Sequence, residues 1–188
     1  MGRWEPNTRG RLEKAAIELY LEQGFDQTTV AQITERAGLT TRTFFRHFAD
    51  KPDVLFVGHD ELSERIAKTI VAAPRPWSAV RAAASGLNIA AAALQVRRDE
   101  AEDRRTLIRS TPALRERELI IFASIAETVA GALSARGVED RVARVTAEAM
   151  LAAFRVAFEQ WGEHPDRELP QLADEAVDEL KGVMRSDS

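Results

Sequence analysis

The 188-residue sequence predicts an all-α protein of about nine helices. Ala, Leu, Glu and Arg, which favour helices, are abundant, and the alternation of β-branched residues that marks strands is hard to find. Glycine and proline divide the chain at intervals of helix length. The glycines that fit helix C-caps are Gly24, Gly38 and Gly137, and the prolines that fit helix starts or breaks are Pro52, Pro74, Pro76, Pro112, Pro165 and Pro170.

Composition excludes several classes of function. The absence of Cys excludes disulfides, thiolate catalysis and Cys-based metal sites. A Gly-rich phosphate loop and an HExxH metal pair are also missing, so we expect no enzyme, no metal and no cofactor. We interpret the acidic run Asp99, Glu100, Glu102 and Asp103 as solvated residues on a connecting turn. No apolar run approaches the ~20 residues that cross a bilayer, so we expect a cytoplasmic protein without a membrane partner.

The first two helices are defined by their ends. The first runs from about Thr8 to Gln23. The second begins at Thr28 or Thr29, because Thr29 and Gln32 have the spacing of a capping box, and it ends at Gly38.

A tight turn follows. The sequence AGLT leads to Thr40, which caps a third helix through His47, and residues 50–53 are expected to start a long fourth helix. Two short helices joined by such a turn predict a helix-turn-helix.

The third helix carries side chains that suit a DNA major groove. The second helix of a helix-turn-helix lies in that groove, with its N-terminal residues at the base edges. Here those residues are Thr40, Thr41 and Arg42. Arg can bind guanine O6 and N7 together, and a Thr methyl can pack on a thymine methyl. Contacts to phosphates, which give affinity without reading sequence, are predicted for Thr29, Thr43, His47 and Lys51.

Each of these residues also has a simpler interpretation. A single threonine can be a helix cap only, Arg42 and Arg46 can form a solvated face, and His47 can be an ordinary surface histidine. Residues 1–51 hold eight Lys or Arg and seven Asp or Glu, so their net charge of +1 adds little support. The combination of residue types, turn and spacing favours DNA binding.

Residues 12–55, LEKAAIELYLEQGFDQTTVAQITERAGLTTRTFFRHFADKPDVL, resemble the N-terminal DNA-binding domain of TetR-family transcriptional regulators. The resemblance lies in Gly-Phe after the first helix, Thr-Thr-Val, Gly-Leu-Thr, and Phe-Phe-Arg-His-Phe followed by Lys51 and Leu55. It implies a helical homodimer that binds double-stranded palindromic operators and usually releases them when a small molecule binds. It also implies a helix-turn-helix domain over 1–50 and a ligand-binding and dimerisation domain over 51–188.

One position departs from the family pattern. Phe45 stands where the family most often has Tyr, whose hydroxyl touches a phosphate. Phe cannot donate that hydrogen bond, which is worth about 0.5–1.5 kcal/mol. We therefore expect Arg46, His47 and Lys51 to make more of the backbone contact, and Phe45 to add apolar packing at the interface.

The predicted helix over 139–162 is apolar on two sides about 170° apart. One side holds Val142, Val145, Ala149, Ala152 and Val156, and the other holds Ala147, Leu151, Phe154, Phe158 and Trp161. We expect one side to pack on its own chain and the other on a two-fold mate, although a central helix buried within one subunit is the alternative. The last helix, from about Asp166 through Met184, is expected to add Leu172 and Ala176 to an intersubunit four-helix bundle.

The ligand site is less clearly marked. Small residues in the Ala-rich segment 77–96 would leave space within a bundle. The expected ligand contacts are His59, Leu62, Asn88, Phe122 and Ile125, although His59 can be a core histidine and Asn88 can bind backbone.

A second resemblance is weaker. Residues 104–125 resemble a TetR subgroup that includes regulators associated with mycofactocin and with acyl-CoA-like ligands. This implies that Arg104, Arg105 or Arg109 meets an anionic part of a ligand, the alternative being a solvated basic helix end. The rival functions are a helical protein–protein adaptor and a ligand-independent DNA-binding regulator or activator.

Overall fold

The computed structural model describes residues 7–185, apart from the side chains of Asp99 and Met184. Over this range it contains nine α-helices, one 3₁₀ turn and no strand, which confirms the all-α prediction. The helices are α1 Thr8–Gln23, α2 Val30–Arg36, α3 Thr41–His47, α4 His59–Ala72, α5 Ala79–Val96, α6 Arg98–Ser110, α7 Pro112–Ala135, α8 Asp140–Glu163 and α9 Leu169–Arg185, with the 3₁₀ turn at Pro52–Phe56.

Two predicted elements differ from the structure. The long fourth helix does not start at residues 50–53, because a 3₁₀ turn forms there and Gly58, with φ 82°, separates it from α4. The acidic run that includes Asp103 lies in α6 and not on a turn. Only Arg97 separates α5 from α6, so the acidic run lies within a helix that begins at Arg98.

The contacts divide the chain into two compact units that do not follow the segments 1–50 and 51–188. The first unit runs to His59 and also takes in Asp99–Leu119, and the second holds Asp60–Arg98 and the chain from Ile120 onward. The helix-turn-helix therefore belongs to the same unit as most of α6 and the start of α7.

The core of the first unit is built by α1, α2, α3 and the 3₁₀ turn together with α6 and α7. Its buried residues include Leu12, Ile33 and Phe44, and they pack in one cluster with Leu107 and Leu114. Three residues from the 99–119 segment, Leu107, Ile108 and Leu114, complete this cluster.

In the second unit, α5, α8 and α9 pack together. Trp161 is buried, and its indole N–H donates to Gln95 Oε1 at 2.9 Å, an atom that also accepts the Leu169 backbone N–H at 2.9 Å. Helices α4 and α5 approach closely at Gly86, where an added Cβ would lie 2.6 Å from Ile70 Cγ1.

Helices α5 and α7 are long and apolar enough, by length and composition alone, to cross a membrane. The expectation that no such stretch exists was therefore wrong. Two such helices are weak evidence for a membrane protein, and α5 packs against α8 and α9 of its own chain.

Candidate nucleic-acid interface

The helix-turn-helix is set by two threonine caps and one glycine. Thr29 caps α2 in the predicted capping box: Gln32 N donates to Thr29 Oγ1 at 3.2 Å, and Thr29 N donates to Gln32 Oε1 at 2.8 Å. Gly38 takes φ 64° in the turn, which favours glycine, and Leu39 N then donates to Thr34 O at 2.8 Å. These contacts fix the entry to α3.

Helix α3 has one buried face and one exposed face. Thr40 caps it, with Thr43 N donating to Thr40 Oγ1 at 3.2 Å, as predicted. Phe44 is fully buried and Phe48 is nearly so, which means that both face the core. The exposed side chains are Thr40, Thr41, Arg42, Phe45 and Arg46. Phe45 is 56 % exposed and lies on the same face as Thr41 and Arg42, so the outward surface combines a hydroxyl, a cation and an apolar ring.

His47 lies beside a cation at the edge of this face. Its Nε2 is 3.4 Å from Arg46 Nη2. Partial burial lowers the pKa of His47 below its usual 6.5, and the charges of Arg46 and Arg9 lower it further. In the free protein at neutral pH the ring is therefore mostly neutral.

Lys51 was predicted to reach a phosphate, but the structure turns it toward its own chain. Its ammonium group donates to Phe25 O at 2.6 Å and to Thr28 O at 2.9 Å, and it lies 4.0 Å from the centre of the Phe25 ring. Burial lowers the pKa of Lys51, and Asp26 offsets part of that effect. Lys51 therefore fastens the turn between α1 and α2.

Two hydroxyl groups that support this turn were not singled out from the sequence as structural. Thr28 is buried, and its Oγ1 donates to Gly24 O at 2.8 Å. The Tyr20 hydroxyl donates to Lys51 O at 2.9 Å. The spacing of Thr28 four residues after Gly24 was a usable local signal, whereas nothing local joins Tyr20 to Lys51.

The residues predicted to bind a ligand have varied surroundings. His59 Nδ1 lies 2.8 Å from Phe56 O, and Leu62 and Ile125 are half-buried. Phe122 lies under the Arg155 guanidinium, 5.6 Å from ring centre to Cζ. These positions leave the ligand contacts as predictions.

Asn88 binds a side chain and not backbone, because its amide donates to Asp174 Oδ1 at 2.9 Å. A cavity of about 10 Å³ lies beside it, lined also by Met150 and Phe154. That volume holds about one water molecule, so it is no ligand site in this conformation.

The three arginines expected to meet an anion differ in their environment. Arg104 forms an ion pair with Glu13, a buried residue of α1. Arg105 is half-buried and Arg109 is exposed. The guanidinium of Arg104 is therefore already engaged by a carboxylate of its own chain.

One apolar side of α8 is largely exposed and the other is buried. Val142, Val145 and Val156 are 50 %, 63 % and 47 % exposed, Ala152 is exposed and Ala149 is half-buried. The opposite side, which includes Leu151 and Trp161, is buried in its own chain.

The expectation for α9 needs correction. Leu172 and Ala176 are only 1 % and 7 % exposed, because α9 packs its apolar side on α5 and α8 of the same chain. Periodicity identified the apolar side of α9 but not the partner that covers it. The prediction that Leu172 and Ala176 lie at a subunit interface was therefore wrong, because both are buried within their own chain.

Comparison with known proteins gives two family matches. The model for bacterial regulatory proteins of the tetR family matches residues 12–56. The model for the MftR C-terminal domain matches residues 74–185, which is more than half of the chain. Among the described residues, no group of three or more His, Cys, Asp or Glu could hold a metal ion.

Individual relatives agree with these matches. MftR of Mycobacterium tuberculosis, whose proposed role is transcriptional regulation of mycofactocin biosynthesis, is 26 % identical over 86 % of this chain and 83 % of its own length. The transcriptional regulator TcmR of Streptomyces glaucescens is 40 % identical over 36 % of this chain, and the match spans only 30 % of TcmR. The FadR structure from Bacillus subtilis, solved with stearoyl-CoA, superimposes with a TM-score of 0.60 at 20 % identity and covers 91 % of this chain and 96 % of its own.

Proposed function

The chain belongs to the tetR family of bacterial regulatory proteins and is a DNA-binding transcriptional regulator, and from this premise we propose that it is a cytoplasmic dimeric repressor. Each dimer binds a two-fold operator through its two α3 helices, and a small, largely apolar ligand releases it. Regulation and not catalysis is the activity proposed.

The observation that carries the proposal is the outward face of α3. Thr41, Arg42 and Phe45 are exposed next to one another, while Phe44 and Phe48 hold the opposite face in the core. An exposed arginine such as Arg42 can bind a guanine edge, and the methyl of Thr41 and the ring of Phe45 suit thymine methyls. Arg46 and His47 supply hydrogen-bond donors for phosphates on one flank.

The dimer is proposed from the open side of α8. Val142, Val145, Ala149, Ala152 and Val156 are spaced three and four residues apart in alternation, which is the heptad pattern of paired helices. Small alanines in the middle allow two antiparallel copies of α8 to approach closely, and the valines at both ends fill the space where the helices diverge. Such a two-fold contact would present two α3 helices to one duplex.

The first ligand to test is a long-chain acyl-CoA, whose acyl chain would be the apolar part that enters the protein. The FadR structure from Bacillus subtilis contains stearoyl-CoA, and that protein shares the fold of this chain. The ligand is proposed to enter the C-terminal part of the chain, with Leu62, Phe122 and Ile125 as its apolar contacts.

Selection of duplexes from a random pool with the purified full-length chain tests the proposal. We expect one enriched two-fold motif with half-site centres about one helical turn (~34 Å) apart. Stearoyl-CoA should then displace the protein from that duplex, and CoA without the acyl chain should not. Equal binding to every duplex in the pool would contradict the assignment of α3 as a sequence reader.

A further inference from the structure

Helix α7 begins in the first unit and continues into the second. Pro112–Leu119 belongs to the unit that contains α3, and Ile120–Ala135 belongs to the other. Residues of α7 are therefore shared between the unit that contains α3 and the second unit.

In the first unit, α7 is bound to the segment that follows α3. Arg117 Nη2 donates to Asp50 Oδ2 in an ion pair. The other carboxylate oxygen of Asp50 accepts the Asp53 backbone N–H at 3.1 Å, and Asp53 Oδ2 accepts the Ala49 N–H at 3.2 Å. Two side-chain to backbone hydrogen bonds thus hold residues 49–53 directly after α3, and Arg117 binds one of the two carboxylates.

This ion pair is poorly suited to a purely structural role. The side chains of Arg117 and Asp50 are 25 % and 45 % exposed, and partly exposed pairs contribute little to stability. Stability at this corner comes from apolar burial, since Leu107, Ile108 and Leu114 lie in the same cluster as Phe44 and Phe48. The pair joins the segment after α3 to α7 by a charge-assisted hydrogen bond, whose geometry is directional.

We propose that Arg117 is a positioning residue for the recognition helix, and that through Asp50 it makes the placement of α3 depend on the position of α7. This rests on the proposed function, because α3 must read DNA for its placement to matter. Arg117 itself touches no DNA in this mechanism.

The test compares four single variants of the full-length chain with one double variant that combines Arg117→Ala and Asp50→Asn. Arg117→Ala removes the ion pair, and Asp50→Asn removes the charge but keeps the oxygen that accepts from Asp53. Arg115→Ala is the matched control, since Arg115 is an exposed arginine two residues away on the same helix. Each protein is measured for melting temperature, for affinity to the selected operator and for affinity to an unrelated duplex.

We expect Arg117→Ala and Asp50→Asn each to lose about threefold to tenfold in operator affinity, with little loss for the unrelated duplex. The double variant should lose no more than either single variant, because both remove the same contact. Arg117→Lys, which keeps the charge without the guanidinium fork, should recover part of the loss. Arg115→Ala should bind like the wild type.

Additive losses, or operator affinity equal for the Ala variants at 117 and 115, would overturn the inference. So would a lower melting temperature for Arg117→Ala with unchanged affinity of the folded protein, because that is the result of a merely structural role. A wild-type protein that selects no duplex would instead contradict the proposed function, whatever the variants do.

Discussion

Replacement of Lys51 distinguishes a structural role from a DNA contact. Only the loss of a structural contact lowers the stability of the protein without DNA. Replacement by Met keeps most of the apolar stem and removes the ammonium group that donates to Phe25 O and Thr28 O at 2.6 and 2.9 Å. Hydrogen bonds from a charged donor contribute about 1.5–3 kcal/mol each, and the contact with the Phe25 ring about 0.5–1 kcal/mol. Two facts reduce the sum: burial lowers the pKa of Lys51, which means that desolvation opposes its charge, and Phe25 O keeps the Thr28 N–H at 3.2 Å.

We therefore expect Lys51→Met to lower the free energy of unfolding by about 2–3 kcal/mol, which corresponds to a melting temperature roughly 5–10 °C lower. Urea unfolding followed by tryptophan fluorescence and by circular dichroism measures this directly. Lys14→Met is the control, because Lys14 is 79 % exposed and lies 4.0 Å from Glu18, so its loss should change stability by less than about 0.5 kcal/mol.

The salt dependence of operator binding completes this test. A lysine that contacts a phosphate adds about one to the slope of log affinity against log salt concentration, so its removal flattens the slope by about one per subunit. We expect no such change for Lys51→Met. Unchanged stability together with a flatter slope would refute the structural role.

Three further predictions concern DNA binding, helix packing and assembly. The lowered pKa of His47 should rise when a phosphate approaches, so binding takes up a proton and operator affinity should increase about threefold from about pH 7.5 to about pH 6; an equal increase for His47→Gln would assign the effect elsewhere. Gly86→Ala should lower the free energy of unfolding by about 1–2 kcal/mol, because the new Cβ would lie 2.6 Å from Ile70 Cγ1. Gly131→Ala, with open space around the new Cβ, should raise it by about 1 kcal/mol. Thermal melts of both variants measure these changes. Val145→Glu should convert the proposed dimer to a folded monomer in sedimentation equilibrium, and a retained dimer would place the interface elsewhere.

Local signals in the sequence predicted much of the helix-turn-helix. The capping pair Thr29 and Gln32, the cap at Thr40 and the turn glycine Gly38 were each predicted and are confirmed. Caps and turns depend on residues three or four apart, so they can be recognised in the sequence without knowledge of the fold. The start of α4 was misplaced because proline at the first position of a segment permits a 3₁₀ turn as well as an α-helix.

Contacts between residues distant in sequence were not predictable in this way. The ion pair of Arg117 with Asp50 joins positions 67 residues apart, and the hydrogen bond of Lys51 with Phe25 joins positions 26 apart. Periodicity identifies an apolar side of a helix but not its partner, which is why Leu172 was expected at a subunit interface and lies in its own chain's core. Packing of the whole chain decides such contacts.

The most direct measurement of the central claim is a repeat of the duplex selection with Arg42→Ala beside the wild type. If Arg42 at the exposed start of α3 contacts a base edge, the variant should lose its preference at one base pair in each half-site and keep it at the others, at a cost of about 1–3 kcal/mol per contact. An unaltered motif of equal affinity would contradict the placement of this side chain in the major groove.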